Sequence, residues 1–351
     1  MPNNTSAVIL AGGEGRRMKS DRPKVLAEVL FKPMLRWVID AVRSAGIKDI
    51  CVVTGSKREW VDEYLSSLPF KVETVFQSER LGTAHAVMQA ADFLERHRGS
   101  DVLILNGDAP FIAVETIRDA FVMHNQMEEV DTEIFDWEKP IANASAERGC
   151  TVISADVDDP TGYGRIMHET ADSDDYSLNM LKAIVEEKEA TDEIRKITEV
   201  NSGAYWFEVD SLLDALGKVQ KSERTGEYYL TDTIALIKQS GKAVLAFKAN
   251  NADSVLGAND CVQLAQLNQI ARKRILDKHM KNGVNIPCTD GVIIGKDVKI
   301  GTNTTILPST ILRGKTIIGS FCEIGPSAML DSCEVSDNNN IANTTMKNHK
   351  L

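Results

Sequence analysis

Short apolar runs of strand length alternate with amphipathic stretches along residues 1–115. This βαβ rhythm predicts a parallel sheet covered by helices. Because ligands of such sheets bind beyond the carboxyl ends of the strands, the loops that follow strands are where chemistry is expected. The predicted strands are 7–10, 50–54, 72–76 and 102–105, and the predicted helices lie near 33–44, 58–65 and 84–95.

The α/β pattern continues to about residue 251 with one interruption. Between residues 127 and 148 the sequence is acidic and aperiodic, and strand character resumes at 151–156. We interpret the interruption as a surface insertion and assign it no function. Residues 1–251 are expected to form one domain. A connecting helix is predicted within 252–283 from apolar residues at three- and four-residue steps, namely Leu264, Leu267, Ala271 and Ile275.

The last part of the chain carries a different repeat, in which an aliphatic residue recurs every six positions and is often followed by glycine. A fixed hexapeptide period predicts a parallel β-helix, because each aliphatic residue then points into a shared core. We expect this β-helix over 284–351, with the period fading after Leu330 and a polar, asparagine-rich tail over 336–351. The repeat positions are Ile294, Ile300, Ile306, Leu312, Ile318, Ile324 and Leu330.

A glycine-rich turn follows the first predicted strand directly. Residues 11–18 read AGGEGRRM, and Pro-Lys follows at residues 23–24. Glycines allow backbone N–H groups to approach phosphate oxygens closely, while Arg17 and Lys24 add positive charge at the same edge of the sheet. The turn is therefore expected to hold phosphates, although it matches neither the GxxxxGK[ST] motif of P-loops nor the GxGxxG dinucleotide motif.

Composition and charge narrow the class of protein. The 351 residues carry a formal net charge of −11, which argues against non-specific binding of nucleic acid. The apolar runs are too short for a transmembrane helix and residues 1–11 lack the pattern of a signal peptide, so we expect a cytoplasmic protein without a membrane partner. The six cysteines show no CxxC pair and no zinc-site spacing, and are expected to be reduced thiols.

A series of longer motifs spans residue 7 to about residue 335. LAGGEGRRM and SDRPKVL resemble the opening motif shared by sugar-1-phosphate nucleotidyltransferases. LGTAHAV, NGDAPFI, DDPTGYGRI, VEEKEATDE, VNSGAYWF and GEYYLTD then follow in the order seen in bacterial N-acetylglucosamine-1-phosphate uridylyltransferases. The resemblance implies a Rossmann-like α/β domain with a mixed, mainly parallel sheet, followed by a short left-handed parallel β-helix. It also implies an Mg²⁺-dependent enzyme of cell wall precursor biosynthesis, which forms UDP-N-acetylglucosamine and pyrophosphate from UTP and N-acetylglucosamine 1-phosphate.

The resemblance further implies roles for particular residues. Arg17 would face the triphosphate, and Lys24 would stabilise charge at the reacting phosphorus. Asp108 would hold Mg²⁺ together with Asn259, and oxygen ligands independently suit that metal. The remaining implied contacts are Gln77, Gly82 and Thr83 to the uracil edge, Leu10, Ala11, Gly12, Gly13, Asn106 and Gly107 to the nucleotide, and Gly164, Glu186 and Asn201 to the amino sugar.

The implied reaction needs no general base. The phosphate of a sugar 1-phosphate has a second pKa of about 6, by analogy with other phosphomonoesters, so its attacking oxygen is mostly ionised at neutral pH. Catalysis then consists of bringing two anions into line and offsetting charge at the α-phosphorus, for which Lys24, Arg17 and Mg²⁺ are the expected means. The six histidines, His85 included, form no motif and are expected to be solvated or internally satisfied side chains.

Two alternative functions stay open. Another pyrophosphorylase, of the ADP-glucose or GDP-mannose type, would carry the same opening motif, although Gln77 and GEYYLTD favour uridine and an N-acetylated sugar. A non-catalytic sugar-nucleotide-binding protein would keep the fold, but the joint presence of four charged or metal-binding side chains argues against it. These are Arg17, Lys24, Asp108 and Asn259.

The resemblance leaves departures that bear on activity and assembly. Bifunctional family members continue their β-helix and carry an acetyltransferase there, whereas the repeat is expected to fade here near residue 335, with His349 in a tail lacking the repeat. We therefore expect one activity. Gly12, Asn106 and the segment 127–148 depart from the family pattern, which bears on sugar preference. Hexapeptide β-helices of this family associate as trimers, so a homotrimer is expected.

Overall fold

The computed structural model describes residues 4–125, 147–169 and 179–351. It divides into two compact units, the first formed by Met1–Leu26 and Leu35–Gly257 and the second by Ala27–Met34 and Ala258–Leu351. The insertion predicted at 127–148 lies almost wholly outside the described residues. The unit boundary falls after Gly257, a few residues beyond the predicted boundary at 251, so the connecting helix belongs to the second unit.

The elements before residue 285 follow the predicted alternation of strands and helices. The strands are β1 (Thr5–Ala11), β2 (Glu28–Val29), β3 (Lys32–Pro33), β4 (Asp49–Thr54), β5 (Glu73–Phe76), β6 (Asp101–Asn106), β7 (Arg148–Asp156), β8 (Arg165–His168), β9 (Leu181–Val185), β10 (Glu199–Glu208) and β11 (Ala243–Lys248). The helices are α1 (Met34–Ala45), α2 (Arg58–Ser66), α3 (Thr83–Met88), α4 (Ala91–Glu95), α5 (Val114–Asn125), α6 (Asp192–Arg195), α7 (Val209–Leu216), α8 (Thr231–Gln239) and α9 (Cys261–Lys281).

One predicted helix is divided. The stretch 84–95, expected to be continuous, forms α3 and α4 instead. Ala90 interrupts it, because its φ of −91° and ψ of 15° depart from helical values. Ala90 and Leu94 are both fully buried, so the interruption keeps apolar side chains of this stretch against the sheet.

The main sheet of the first unit is mixed and mainly parallel, as the resemblance implied. Its order is β11-β7-β10-β6-β1-β4-β5. Strand β1 lies between β4 and β6 and is parallel to both, whereas β10 runs antiparallel to β6 and β7. Since β1, β4 and β6 end at one edge, the loops that follow them meet there, which brings the glycine turn close to the residues after Asn106.

Two hydrophobic cores cover the opposite faces of this sheet. Side chains alternate along β1, so Ala7 and Ile9 belong to one core and Val8 to the other, and all three are fully buried. The first core includes Leu35 of α1 and the second includes Leu212 of α7. Burying each such aliphatic side chain stabilises the fold by about 1.5–3 kcal/mol. Apolar packing on both faces therefore fixes the positions of the strands, including their carboxyl ends.

A hairpin of β2 and β3 belongs to the second unit although it lies early in the chain. Its turn residues, Leu30 and Phe31, have φ values of 45° and 66°, in the left-handed region that bulky residues rarely adopt. Contacts within the unit hold the hairpin. The Leu30 N–H donates to Asn268 Oδ1 at 2.9 Å, and Lys32 Nζ lies 2.7 Å from Asp297 Oδ1. The second unit is thus assembled from two separate stretches of chain.

The rest of the second unit is a parallel β-helix. Its strands form three parallel sheets, each built from every third strand. The hexapeptide residues point inward as predicted, and Ile294, Ile306 and Leu312 are fully buried. These coils are the left-handed parallel β-helix that the resemblance implied. The strands are β12 (Ile293–Ile294), β13 (Lys299–Ile300), β14 (Thr305–Ile306), β15 (Ile311–Arg313), β16 (Ile317–Ile318), β17 (Glu323–Ile324), β18 (Met329–Asp331), β19 (Glu334–Val335), β20 (Asn340–Ile341) and β21 (Thr345–Lys347).

The expected polar tail is instead part of the β-helix, so that prediction was wrong. Strands β19, β20 and β21 pair in parallel with β16, β17 and β18. The inward positions after Leu330 are Val335, Ile341 and Met346. The step is five residues from Leu330 to Val335 and again from Ile341 to Met346, so the strict period of six breaks down. His349 belongs to these coils, since its backbone oxygen accepts the Glu334 N–H at 2.8 Å.

In the described ranges, no helix is both long and apolar enough to cross a membrane.

Candidate active site

The glycine turn after β1 is shaped by close backbone approach. Gly15 has φ of +64°, and a Cβ there would lie 2.7 Å from Cβ of Lys24, so a side chain at this position would push Lys24 away. Gly12 packs on Gly55 in the loop after β4, where a Cβ would meet the Gly12 carbonyl oxygen at 2.3 Å. The turn therefore brings Lys24 beside the glycine backbone, and the loop after β4 packs against the turn at Gly12.

Lys24 reaches the loop that follows β6. Its Nζ lies 2.5 Å from Oδ2 of Asp108, with 11% of the lysine side chain and 29% of the aspartate side chain exposed. The Gly107 N–H donates to the Leu10 carbonyl at 2.9 Å, which joins the ends of β1 and β6. The backbone of Gly257 packs on Asp108, because a Cβ there would lie 3.0 Å from the Asp108 carbonyl oxygen. A cation and a carboxylate thus lie together at the carboxyl edge.

Gln77 lies on the other side of the glycine turn. Its side chain is only 5% exposed. The amide nitrogen Nε2 donates to the Gly82 carbonyl at 3.1 Å, and the amide oxygen Oε1 lies 3.0 Å from the position of a Cβ on Gly12. The oxygen of a buried amide is therefore directed at the glycine turn, where it can accept a hydrogen bond from a ligand.

The two motifs LGTAHAV and GEYYLTD meet in space. The Tyr228 N–H donates to the Leu81 carbonyl at 2.6 Å, the Ala84 N–H donates to the Tyr228 carbonyl at 2.9 Å, and the Leu230 N–H donates to Thr83 Oγ1 at 2.9 Å. Gly82 has φ of +108°, and a Cβ there would meet the Tyr228 oxygen at 2.4 Å, so this junction requires glycine. The second motif thus positions the first.

The three residues expected to hold the sugar lie next to one another. The Asn201 N–H donates to the Gly164 carbonyl at 2.8 Å, and a Cβ on Gly164 would lie 3.6 Å from the carboxyl carbon of Glu186. Thr231 at the start of α8 donates to Glu186 Oε1 at 3.4 Å. Burial raises the pKa of Glu186 above its ordinary value, although the Thr231 hydroxyl acts in the opposite direction. Tyr205 Oη accepts from Asn201 Nδ2 at 2.7 Å.

The residues expected to contact the base and those expected to contact the sugar are linked into one closed set of contacts. Asn201 Oδ1 accepts the Gly203 N–H at 3.0 Å, and the Asn106 amide packs directly on the Gly203 backbone. Asn106 ends β6, immediately before the Gly107 bond to the Leu10 carbonyl. Twelve loop and strand-end residues therefore surround one region of the carboxyl edge, namely Leu10, Gly12, Gln77, Gly82, Thr83, Asn106, Gly107, Gly164, Glu186, Asn201, Leu230 and Thr231.

Comparison with known proteins identifies the family of this chain. Residues 6–254 match the family described as nucleotidyl transferase. The chain belongs to that family. The bifunctional protein GlmU of Caldanaerobacter subterraneus subsp. tengcongensis is 40% identical over 335 residues, which is 95% of this chain and 66% of the relative. The GlmU of Acetivibrio thermocellus is 42% identical over 340 residues, 97% of this chain and 67% of the relative. The chain thus spans about two thirds of the length of these relatives.

A solved structure shows the same fold at lower similarity. The protein is a Bacillus anthracis protein assigned as a glucose-1-phosphate thymidylyltransferase and crystallised with a sucrose. It superposes with a TM-score of 0.55 at 21% identity, covering 76% of this chain and 95% of that chain. At this identity the likeness concerns the fold of the nucleotidyl transferase alone.

Arg17 and Asn259 are among the expected site residues that lie outside these twelve residues of the contact set. Arg17 is exposed. Asn259 lies in the second unit, just before α9, where its N–H donates to Gln263 Oε1 at 2.7 Å. The implied roles of Arg17 and Asn259 stay predictions.

Sequence reasoning missed two residues that lie against the pair expected to hold the sugar. Tyr205 and Thr231 reach Asn201 and Glu186 through hydrogen bonds. The pairing of β10 with β7 shifts register between Asn201 and Ala204, and this bulge helps place Tyr205 beside Asn201. Gly203 in the middle of a strand pattern was the available signal, since an isolated strand glycine indicates a bulge or a close backbone approach.

Proposed function

We propose that this nucleotidyl transferase forms UDP-N-acetylglucosamine and pyrophosphate from UTP and N-acetylglucosamine 1-phosphate. The observation that carries the proposal is the closed set of contacts, which joins the buried amide of Gln77 beside the glycine turn to the half-buried side chains of Glu186 and Asn201. Relatives named GlmU, at about 40% identity along nearly the whole chain, support the same reading.

Each side of the site suits one half of the proposed product. The acceptor Gln77 Oε1 and the Gly82 and Thr83 backbone suit the edge of a pyrimidine, which offers both donors and acceptors. Glu186 and Asn201 suit a sugar, because a carboxylate accepts hydrogen bonds from hydroxyls and an amide both donates and accepts. Such dense polar complementarity favours one sugar over others that lack the matching groups.

In the reaction, an oxygen of the sugar phosphate attacks the α-phosphorus of UTP. A new oxygen–phosphorus bond forms, and the bond from the α-phosphorus to the bridging oxygen of the β-phosphate breaks, which releases pyrophosphate. The glycine turn would hold the phosphates with backbone N–H groups, while Lys24 would offset charge at the α-phosphorus. Arg17, exposed at the same turn, would approach the triphosphate from solvent. No group of the chain has to remove a proton.

Asp108 is the residue that fits a divalent cation. Across the described residues, no three His, Cys, Asp or Glu side chains gather into a metal-binding group. A single carboxylate nevertheless suits Mg²⁺, which binds through one or two carboxylates together with water and substrate phosphates. When bound, Mg²⁺ would neutralise phosphate charge at the site. Asn259 is the second ligand expected from the sequence.

A substrate panel tests the proposal. Pyrophosphate release would be measured with UTP, CTP, ATP, GTP and TTP, each paired with N-acetylglucosamine 1-phosphate and with glucose 1-phosphate, in Mg²⁺ and in EDTA. We expect the highest kcat/KM for UTP with N-acetylglucosamine 1-phosphate and no turnover in EDTA. A preference for ATP or GTP would instead indicate the ADP-glucose or GDP-mannose type. Tight binding of UDP-sugars without turnover would indicate a non-catalytic binding protein.

Location and assembly follow the same proposal. The reaction uses UTP, a cytoplasmic nucleotide, and the net charge of −11 disfavours nucleic acid as a partner, so we infer a cytoplasmic enzyme. The β-helix of the second unit is proposed to associate as a homotrimer. Light scattering at micromolar concentration tests this, since a monomeric mass would exclude the trimer.

A further inference from the structure

A histidine beside the buried glutamine has no role in the reaction described so far. His85 lies in α3, and its Nδ1 is 3.1 Å from Gln77 Nε2. Its ring stacks on Tyr228 with a centroid separation of 6.4 Å and an angle of 27° between the ring planes. Tyr228 is itself bound to residues on either side of Gly82 through its backbone. The His85 imidazole therefore packs against a segment that is itself fixed by backbone hydrogen bonds.

The orientation of the Gln77 amide decides what a bound base meets. The two ends of an amide are similar in size but opposite in hydrogen bonding, one an acceptor and the other a donor. Gln77 Nε2 faces the Gly82 carbonyl and His85 Nδ1, both at 3.1 Å, which uses both of its hydrogens. Its Oε1 is directed at Gly12 and meets no donor among residues 4–125, 147–169 and 179–351.

This arrangement requires a lone pair on Nδ1 of His85 and the proton of the neutral ring on Nε2. Nε2 lies 3.2 Å from Gln89 Nε2, which also donates to the His85 carbonyl at 3.0 Å. A neutral ring accepts only once, so one of the two amides must turn its oxygen to the ring. Turning either amide loses one bond to a backbone carbonyl, that of Gln89 to His85 or that of Gln77 to Gly82. We assign the turn to Gln89, which is half-buried and can rotate away from that carbonyl, because Gln77 is 5% exposed and packed against the glycine turn.

We propose that His85 is a positioning residue that sets the base preference of the nucleotide site, by holding the Gln77 amide with its oxygen toward the base. The inference rests on the proposed function for the assignment of this region to the base. An acceptor there pairs with the N3–H of uracil, whereas the N3 of cytosine carries a lone pair and opposes it. His85 thus favours UTP over CTP without touching either nucleotide.

The test is the ratio of the dissociation constants for UTP and CTP, measured by calorimetry in Mg²⁺ without sugar phosphate. His85→Phe and His85→Leu both remove the acceptor, and Phe keeps a ring to stack on Tyr228. Both variants are expected to lower the preference for UTP roughly tenfold, since one orienting hydrogen bond is lost. His85→Asn is expected to retain the preference, because its Oδ1 can take the place of Nδ1.

A double-mutant cycle separates this role from a general loss of structure. In a Gln77→Leu background the preference for UTP is already reduced, and adding His85→Phe is expected to change it no further. An unchanged ratio in the folded Phe or Leu variant overturns the proposal, as does equal loss in the Asn variant or equal binding of UTP and CTP by the unaltered chain. Because binding is measured without turnover, a chain that prefers UTP yet forms no UDP-N-acetylglucosamine refutes the proposed function alone.

Discussion

The ammonium group of Lys24 lies 2.5 Å from Oδ2 of Asp108, between the glycine turn and the end of β6. The side chain expected to meet phosphate is therefore already bound to the side chain expected to meet a cation. A triphosphate with its divalent ion offers each of them a replacement partner of the same charge. The pair can then separate without leaving either charge unbalanced, which keeps the cost of substrate binding low.

Replacing Lys24 by alanine tests the catalytic side of this pair. Charge-assisted hydrogen bonds contribute roughly 1.5–3 kcal/mol, so kcat should fall at least about tenfold, and further if Lys24 acts mainly in the transition state. The melting temperature should stay close to that of the unaltered chain. Lys71→Ala, at an exposed lysine, is the matched control and should keep full activity. Near-normal turnover of Lys24→Ala would remove the assignment.

Replacing Gly12 by alanine tests the approach of Gln77 to the glycine turn. The added methyl group would lie 3.0 Å from Gln77 Oε1, closer than ordinary contact, so the buried Gln77 amide would have to shift. Such overpacking costs about 1–3 kcal/mol, so the dissociation constant for UTP should rise about tenfold or more. Gly217→Ala is the control, because its Cβ would meet neighbours only at an ordinary 3.7 Å. Equal UTP affinity in both variants would contradict the prediction.

Tyr205→Phe tests the sugar side. Removing the phenol oxygen takes away the acceptor for Asn201 Nδ2 at 2.7 Å and leaves that amide less well oriented. Burial raises the pKa of Tyr205 above its ordinary value, so the hydroxyl stays neutral over the working pH range. We expect KM for N-acetylglucosamine 1-phosphate to rise several-fold, about 1 kcal/mol, with KM for UTP unchanged. The effect should vanish in an Asn201→Ala background, and an equal rise in both KM values would argue against it.

A pH series on the stability of the first unit tests Glu199. Burial acts to raise the pKa of this carboxyl, but hydrogen bonds from Ser154, His168 and Lys248 outweigh it, so the pKa lies below its ordinary value. A carboxyl with a depressed pKa stabilises the fold at pH values above about 4.3, its unfolded value, and this stabilisation disappears as pH falls through the folded pKa. Acidification should therefore destabilise the unaltered chain.

Glu199→Gln provides the comparison for that series. At pH 7 the variant should be less stable by about 2 kcal/mol, because hydrogen bonds to a charged group are lost. The difference should shrink toward zero as pH falls below the folded pKa. Urea unfolding followed by tryptophan fluorescence reports on this unit, since all four tryptophans lie within Leu35–Gly257. A difference that is constant across pH would exclude titration of Glu199 as its source.

The inward positions of the β-helix give a separate stability prediction. Ile324 in β17 is fully buried, whereas Glu323 beside it is exposed. Ile324→Ala should destabilise the second unit by about 2–5 kcal/mol through lost burial and the cavity left behind. Glu323→Ala should change it by less than about 0.5 kcal/mol. Hydrogen exchange of the strands around β17 measures both, and equal protection in the two variants would contradict the inward assignment.

The periodic parts of the fold could be predicted because each period reflects a single local requirement. The run at 7–10 lies in β1 between two parallel neighbours, and the residues from Ile294 to Leu330 fill one core at every sixth position. The prediction failed where the period changed, because the step from Leu330 to Val335 is one residue shorter and counting in sixes then misses Val335. A local deletion that preserves burial is invisible to a search for a fixed repeat.

Sequence motifs identified residues that form the contact set, but not the side chains that hydrogen-bond to them from behind the loops. Gln77, Gly82 and Asn201 were identified from motifs, and the structure brings them into one set of contacts. Tyr205 and Thr231 were not, because their proximity depends on a strand bulge and on packing between distant segments. No spacing along the chain encodes either.

The early hairpin has a consequence for how the protein is made. Residues 27–34 leave the ribosome long before residues 258–351, yet they belong to the same compact unit, in which Val29 and Leu30 are buried. Until residues 258–351 have been synthesised, this hairpin lacks the rest of its unit. The nascent chain therefore exposes an apolar, aggregation-prone hairpin during most of translation. If the gene were split at residue 257, the N-terminal product would keep the hairpin without residues 258–351. The C-terminal product would lack Lys32, the ion-pair partner of Asp297.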